Sequence, residues 1–145
     1  MNLGAAKFKL GRLEQELAAA KRWVSSGASH SVEEIASNVA FLQSRSSQIR
    51  STKLAIAKAK LTSFSDLGDM TILEAELLID EMRGLASTNL DLGIHLSQMI
   101  RGGSLPAGGI QISKYFEEYR RLLEVCSVFQ EKLALLDLTI EVNLP

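Results

Sequence analysis

Four glycines and a proline crowd into Arg101-Gly-Gly-Ser-Leu-Pro-Ala-Gly-Gly-Ile110, a composition from which phosphate cradles and lids are made. A phosphate loop of the Walker type needs a lysine and a hydroxyl residue directly after its last glycine. Here Gly109 is followed by Ile110, Gln111, Ile112 and Ser113. A dinucleotide loop needs glycines spaced GxGxxG after a strand, and the residues before this loop are patterned as a helix. The stretch therefore reads as a helix connection, with a short extended piece at 109–113. Other chemistry-bearing residues are scattered. His30 and His95 have no glutamate or cysteine spaced to share a metal with them. Cys126 is the only cysteine, which excludes an internal disulfide and a CxxC metal knuckle. It lies between Leu122 and Phe129 in an apolar row, where a thiol behaves as a small buried hydrophobe rather than an activated nucleophile. Glu74, Glu76, Asp80 and Glu81 lack the Glu-x-x-His partner of bundle metal sites. Trp23 and the methionines fall at helical spacings and read as core. The expectation is a non-enzyme with no catalytic residue, no cofactor and no bound metal.

The elements that would position any site are helical. A chain of 145 residues, 46% of them apolar, suits one domain over 1–145 with a core of its own. Its apolar runs are far shorter than the roughly 20 residues of a membrane span. Charges run through the first 23 residues, unlike a secretory signal, so the expected location is the cytoplasm. In the first segment Leu3, Leu10, Leu13, Leu17, Ala20 and Val24 recur on one helical face as far as a turn near 25–29. The second opens at Ser31 with Glu34 three residues on, a capping-box pattern, and carries Val32, Ile35, Val39, Leu42, Ile49 and Ile56 to about Leu61. A second capping box at Thr71 and Glu74 starts a third helix with Ala75, Ile79, Met82 and Ala86 inward. Its polar piece at 87–93 predicts a kink. The fourth, capped by Ser113, carries Tyr115, Tyr119, Leu122, Cys126, Phe129, Leu133, Leu136 and Ile140 as a heptad seam, with Glu117 and Arg121 as an i,i+4 pair. The fold class is all-α: long antiparallel helices forming a helical bundle, four main helices with a Gly/Pro-rich loop before the last.

Charge is divided along the chain. Residues 1–65 hold ten Lys/Arg and four Asp/Glu, whereas residues 66–145 hold six and thirteen. Arg45, Arg50, Lys53, Lys58 and Lys60 form a basic run that would suit nucleic acid. The acids that follow give a second account: in a hairpin folded about residues 66 and 67, Lys60 comes opposite Glu74 and Lys53 opposite Asp80. The hairpin is the expectation, and a nucleic-acid face on residues 45–60 is the alternative.

Four stretches resemble the septicolysin-like family of small bacterial proteins: LGRLEQELAAAKRW, QIRSTKLAIAKAKL, MTILEAELLIDEMRGLA and the closing YFEEYRRLLEVCSVFQEKLALLDLTIEVNLP. The resemblance covers nearly the whole chain. It implies an all-helical, oligomeric protein of unestablished function and brings no catalytic residues. The family's name suggests a membrane-damaging toxin, so a membrane-active protein is a further alternative, though no residue here supports it. Leu73 and Leu77 point away from the apolar stripe of their helix, and the fourth seam is long enough for both a core and a partner. The reading is a homo-oligomer or protein-binding helical protein, with Leu73, Leu77, Tyr115 and Tyr119 as its candidate interface.

Overall fold

The computed structural model describes residues 1–27, 31–106, 108 and 111–144. His30, together with Ala107, Gly109 and Ile110 of the glycine-rich loop, lies outside the described residues. The protein is all-α, with α1 Leu3–Ser25, α2 Val32–Lys60, α3 Ile72–Arg101 and α4 Ile112–Thr139, plus one 3-10 turn at Ser65–Leu67. Among the described residues the only extended pairing is two isolated bridges, Asn2 with Glu141 and Ser63 with Thr71. The backbone gathers into two compact units, Met1–Thr62 with Leu135–Pro145, and Ser63–Ala134.

The helix starts follow side-chain chemistry. Asn2 Oδ1 accepts from the Ala5 amide at 2.8 Å, and Ser31 Oγ accepts from Glu34 N–H at 3.1 Å. At α3 the capping box is complete: Thr71 Oγ1 accepts from Glu74 N–H at 3.1 Å, and Glu74 Oε2 accepts from Thr71 N–H at 2.7 Å. Each such cap satisfies amides that have no partner inside the helix. Ser113 does not cap α4, because the helix already begins at Ile112 and Lys114 N–H bonds the Gln111 carbonyl at 3.2 Å. Nor does α3 break at 87–93. Thr88 Oγ1 donates to the Gly84 carbonyl at 3.1 Å and Asn89 Nδ2 to the Leu85 carbonyl at 2.9 Å, so these side chains bond back to their own helix, a contact that can bend a helix without breaking it.

In the first unit α1 and α2 run antiparallel. Leu3, Ala6, Leu13, Ile49, Ile56 and Val142 are buried there. The last residues of α4 and those after it close on the start of α1. Leu3 N–H bonds the Ile140 carbonyl at 2.8 Å, and Lys7 Nζ meets both Asp137 oxygens at 2.7 and 2.8 Å. Gly4 permits this approach, since a Cβ there would stand 3.3 Å from the Asp137 carbonyl oxygen. The N-terminal half of α2 is different: Val32 is 82% exposed, and Ile35 and Val39 are exposed too.

The second unit packs α3 against α4. Ile79, Met82 and Ala86 meet Leu122 and Cys126, with Tyr119, Phe129 and Leu133 half-buried around them. Burying a side chain of this size stabilises by about 1.5–3 kcal/mol. Seven of the eight seam positions lie on α4 and Ile140 directly follows its end; all eight are buried or half-buried. Before α3, Leu67 is buried to 1% exposure in the 3-10 turn. Gly68 and Asp69 reverse the chain beyond it with φ of 64° and 66°. In the first half of α4, Arg121 bonds Glu118 at 2.6 and 2.8 Å rather than Glu117 four residues back. The Arg121 guanidinium, through that hydrogen bond, holds the Glu118 carboxyl below the usual carboxylate range.

Candidate functional site

An open groove of about 900 Å³ runs along one face of the α1–α2 hairpin. Ala5, Lys9, Arg12 and Glu16 line it from α1, and Arg45, Gln48 and Thr52 from α2. The same helical rows continue into a hollow of about 300 Å³ between Ala20, Trp23, Asn38 and Phe41. The spacing of three and four along each row is what places these side chains in one line. From Ala5 to Trp23 the line runs about 27 Å at 1.5 Å per residue. Its ends are apolar and open: Phe8 is 72% exposed and Trp23 49%.

Its middle is charged. Glu16 meets two guanidiniums, Arg12 at 3.6 Å and Arg45 at 3.2 Å. Arg45 also donates to Gln48 Oε1 at 2.8 Å and lies over the Phe41 ring at 5.0 Å. One carboxylate thus faces two permanent cations, and Lys9 adds a third positive charge. The groove holds no paired nucleophile and base, and among the described residues no three His, Cys, Asp or Glu side chains gather as metal ligands. What it offers is a cationic strip between two apolar ends. The surplus belongs to the unit as a whole: Met1–Thr62 with Leu135–Pro145 carries ten Lys/Arg and six Asp/Glu, for +4, whereas Ser63–Ala134 carries six and eleven, for −5.

The basic run of α2 is matched differently from the sequence expectation. Lys53 pairs with Glu14 of α1 at 2.7 Å, not with Asp80. Asp80 instead has Arg83 one turn on at 3.8 Å, and Glu74 is taken up by the Thr71 cap. The reason is proximity: α1 already lies along α2 and brings Glu14 and Glu16 to its bases. Arg50 and Lys58 are exposed, and Lys60 is half-buried. Exposed pairs contribute about 0–1 kcal/mol. Lys53→Glu is accordingly expected to lower stability by no more than about 1 kcal/mol in chemical denaturation. Adding Glu14→Lys should recover part of that, and adding Asp80→Lys should recover none.

Of the residues expected at an interface, Leu73 and Leu77 are 40% and 60% exposed, on the face of α3 opposite Ala75, Ile79 and Met82. Tyr115 and Tyr119 are half-buried, and Tyr119 packs on the core of its own unit. The groove was not read from the sequence. Its signal was Phe8, an aromatic set off the Leu3, Leu10, Leu13 row and flanked by Lys7 and Lys9. No helix of the described residues is long and apolar enough to cross a membrane. Set against protein-family models, curated proteins and solved structures, the chain gives no match.

Proposed function

We propose that this is a non-enzymatic helical protein that assembles with copies of itself. The observation that carries the reading is apolar surface arranged in rows rather than scattered singly. Leu73 and Leu77 share an exposed face of α3, and Val32, Ile35 and Val39 share one on α2. Single exposed leucines are ordinary, but rows of this kind mark surfaces that meet other proteins. The resemblance to septicolysin-like proteins, which implies an oligomer, supports the same reading. A cytoplasmic location fits it.

Light scattering should give a mass well above the 15.9 kDa of one chain. A strict monomer at high micromolar concentration would sink the reading. Changing Leu73 and Leu77 together to glutamate should lower the mass and leave the helical circular dichroism intact, because neither side chain serves the core of its unit. The competing reading is nucleic-acid binding by Arg45, Arg50, Lys53, Lys58 and Lys60, which the surplus of +4 favours. Two of those five cations already face Glu16 and Glu14. Binding to random single- or double-stranded nucleic acid should therefore be weaker than about 10 micromolar at physiological salt. A tight complex whose affinity falls steeply with salt would favour the second reading.

A further inference from the structure

Self-assembly, on which this inference rests, leaves open which surface meets which. We infer that the groove of the first unit receives the outer face of α3 from a second copy of the chain, in a head-to-tail contact. The two surfaces are opposite in charge and alike in layout. On α3, Leu73, Leu77, Asp80, Gly84 and Asp91 follow one another at helical spacing, with Glu81 on one flank and Arg83, 3.8 Å from Asp80, on the other, so that face carries three acids and one permanent cation. Leu77 is 60% exposed, and a Cβ on Gly84 would meet nothing within 4 Å, so this face is open to a partner.

The groove repeats the pattern with the sign reversed. Laid parallel to α1 with Leu77 over Phe8, α3 brings Glu81 to Arg12, four residues along each helix. Gly84 then falls close to the level of the Glu16 and Arg45 pair, and Asp91 at the level of Arg22. Helix-in-groove recognition works through such apolar anchors at spacings of three and four, with charges fixing the register. Pairing the groove with a second groove instead would set Lys9, Arg12 and Arg45 against their own copies, which like charges oppose. A contact between two different surfaces of one chain propagates until it closes in a ring or runs on as a filament.

The arrangement has a direct test. Phe8→Glu disables the groove and leaves the α3 face intact; Leu77→Glu does the reverse. Both side chains are mostly exposed, so both variants should keep the wild-type helical signal. Each alone should sediment as a monomer, and a mixture of the two should form a complex of one chain of each and grow no further. In one chain, Arg12→Glu should weaken assembly at least tenfold, and Glu81→Arg added to it should restore most of the loss. If the wild type assembles and both single variants still do, self-assembly stands and this contact is wrong. A wild type that stays monomeric removes both. Single variants that are monomeric but fail to combine would also overturn the contact, as would a groove that binds an oligonucleotide tightly and loses it with Arg12→Glu while assembly persists.

Discussion

Leu122→Ala should destabilise the second unit by about 2–5 kcal/mol, a large part of the roughly 5–15 kcal/mol that holds a domain of this size folded. Leu122 is 5% exposed and packs with Ile79, Met82, Ala86 and Cys126. Its removal forfeits the transfer free energy of the lost carbons and leaves a cavity, because two long helices cannot close together over a single missing side chain. Leu123, the next residue, is 39% exposed and serves as the control. Leu123→Ala should fall within about 0.5 kcal/mol of wild type, as surface substitutions usually do. Cys126 supplies a local readout: it is 3% exposed, with Sγ 3.8 Å from the Ile79 carbonyl oxygen, so a thiol reagent reaches it only when the unit opens. With each 1.4 kcal/mol worth a factor of ten, Leu122→Ala should speed labelling by roughly 30-fold to several thousandfold. A gain under threefold would show that these side chains do not form a common core.

The helices and most of their starts were legible because they depend on local spacing. Thr71 and Glu74 lie three residues apart, and nothing distant is needed for each to bond the other's backbone. The seam from Tyr115 to Ile140 was legible for the same reason. Ser113 lies two residues past the position that precedes α4, an offset that spacing alone does not resolve at a loop rich in glycine. The polar run at 87–93 leaves the helix continuous because Thr and Asn have two uses for their side chains, breaking a helix or bonding back to it. Packing over the rest of α3 decides for the second. Charge partners were the least legible. A lysine such as Lys53 reads the same whether its acid comes from α1 or α3, and only the antiparallel closure of α1 on α2 selects Glu14. The groove escaped notice for a related reason. Phe8, Lys9, Arg12 and Glu16 form a row only beside the α2 row of Arg45 and Gln48, and the pairing of those rows is tertiary. The exposure of Leu73 and Leu77 was legible because an exposed face needs nothing beyond the helix's own periodicity.

Gly93 carries the last prediction, one in which two effects of opposite sign must be weighed. Glycine inside a helix usually costs about 0.5–1 kcal/mol relative to alanine, so Gly→Ala in open surroundings is stabilising. Gly11 in α1 is such a case, since a Cβ there would meet nothing within 4 Å. Gly93 in α3 is not. A Cβ at Gly93 would stand 2.9 Å from Phe116 Cζ and 3.1 and 3.2 Å from the two Cε atoms, inside contact distance of the whole end of the ring. Forcing carbon into a filled space costs typically about 1–3 kcal/mol, more than the helical gain returns. Phe116 is half-buried, so its ring can yield a little to one methyl group. Gly93→Ala should therefore be neutral to destabilising by about 2 kcal/mol, while Gly11→Ala stabilises by about 0.5–1. Gly93→Val adds two methyl groups toward the same ring end and should cost more than Gly93→Ala. Shortening the ring side chain with Phe116→Leu should recover part of the loss in the Gly93→Ala chain, although alone it is destabilising. That sign of coupling arises only when the two residues compete for one volume. Denaturation midpoints at constant m-value measure all five variants. If Gly93→Ala raises the midpoint as much as Gly11→Ala does, Phe116 does not cover this turn of α3, and the glycine there answers to something other than the closeness of α4.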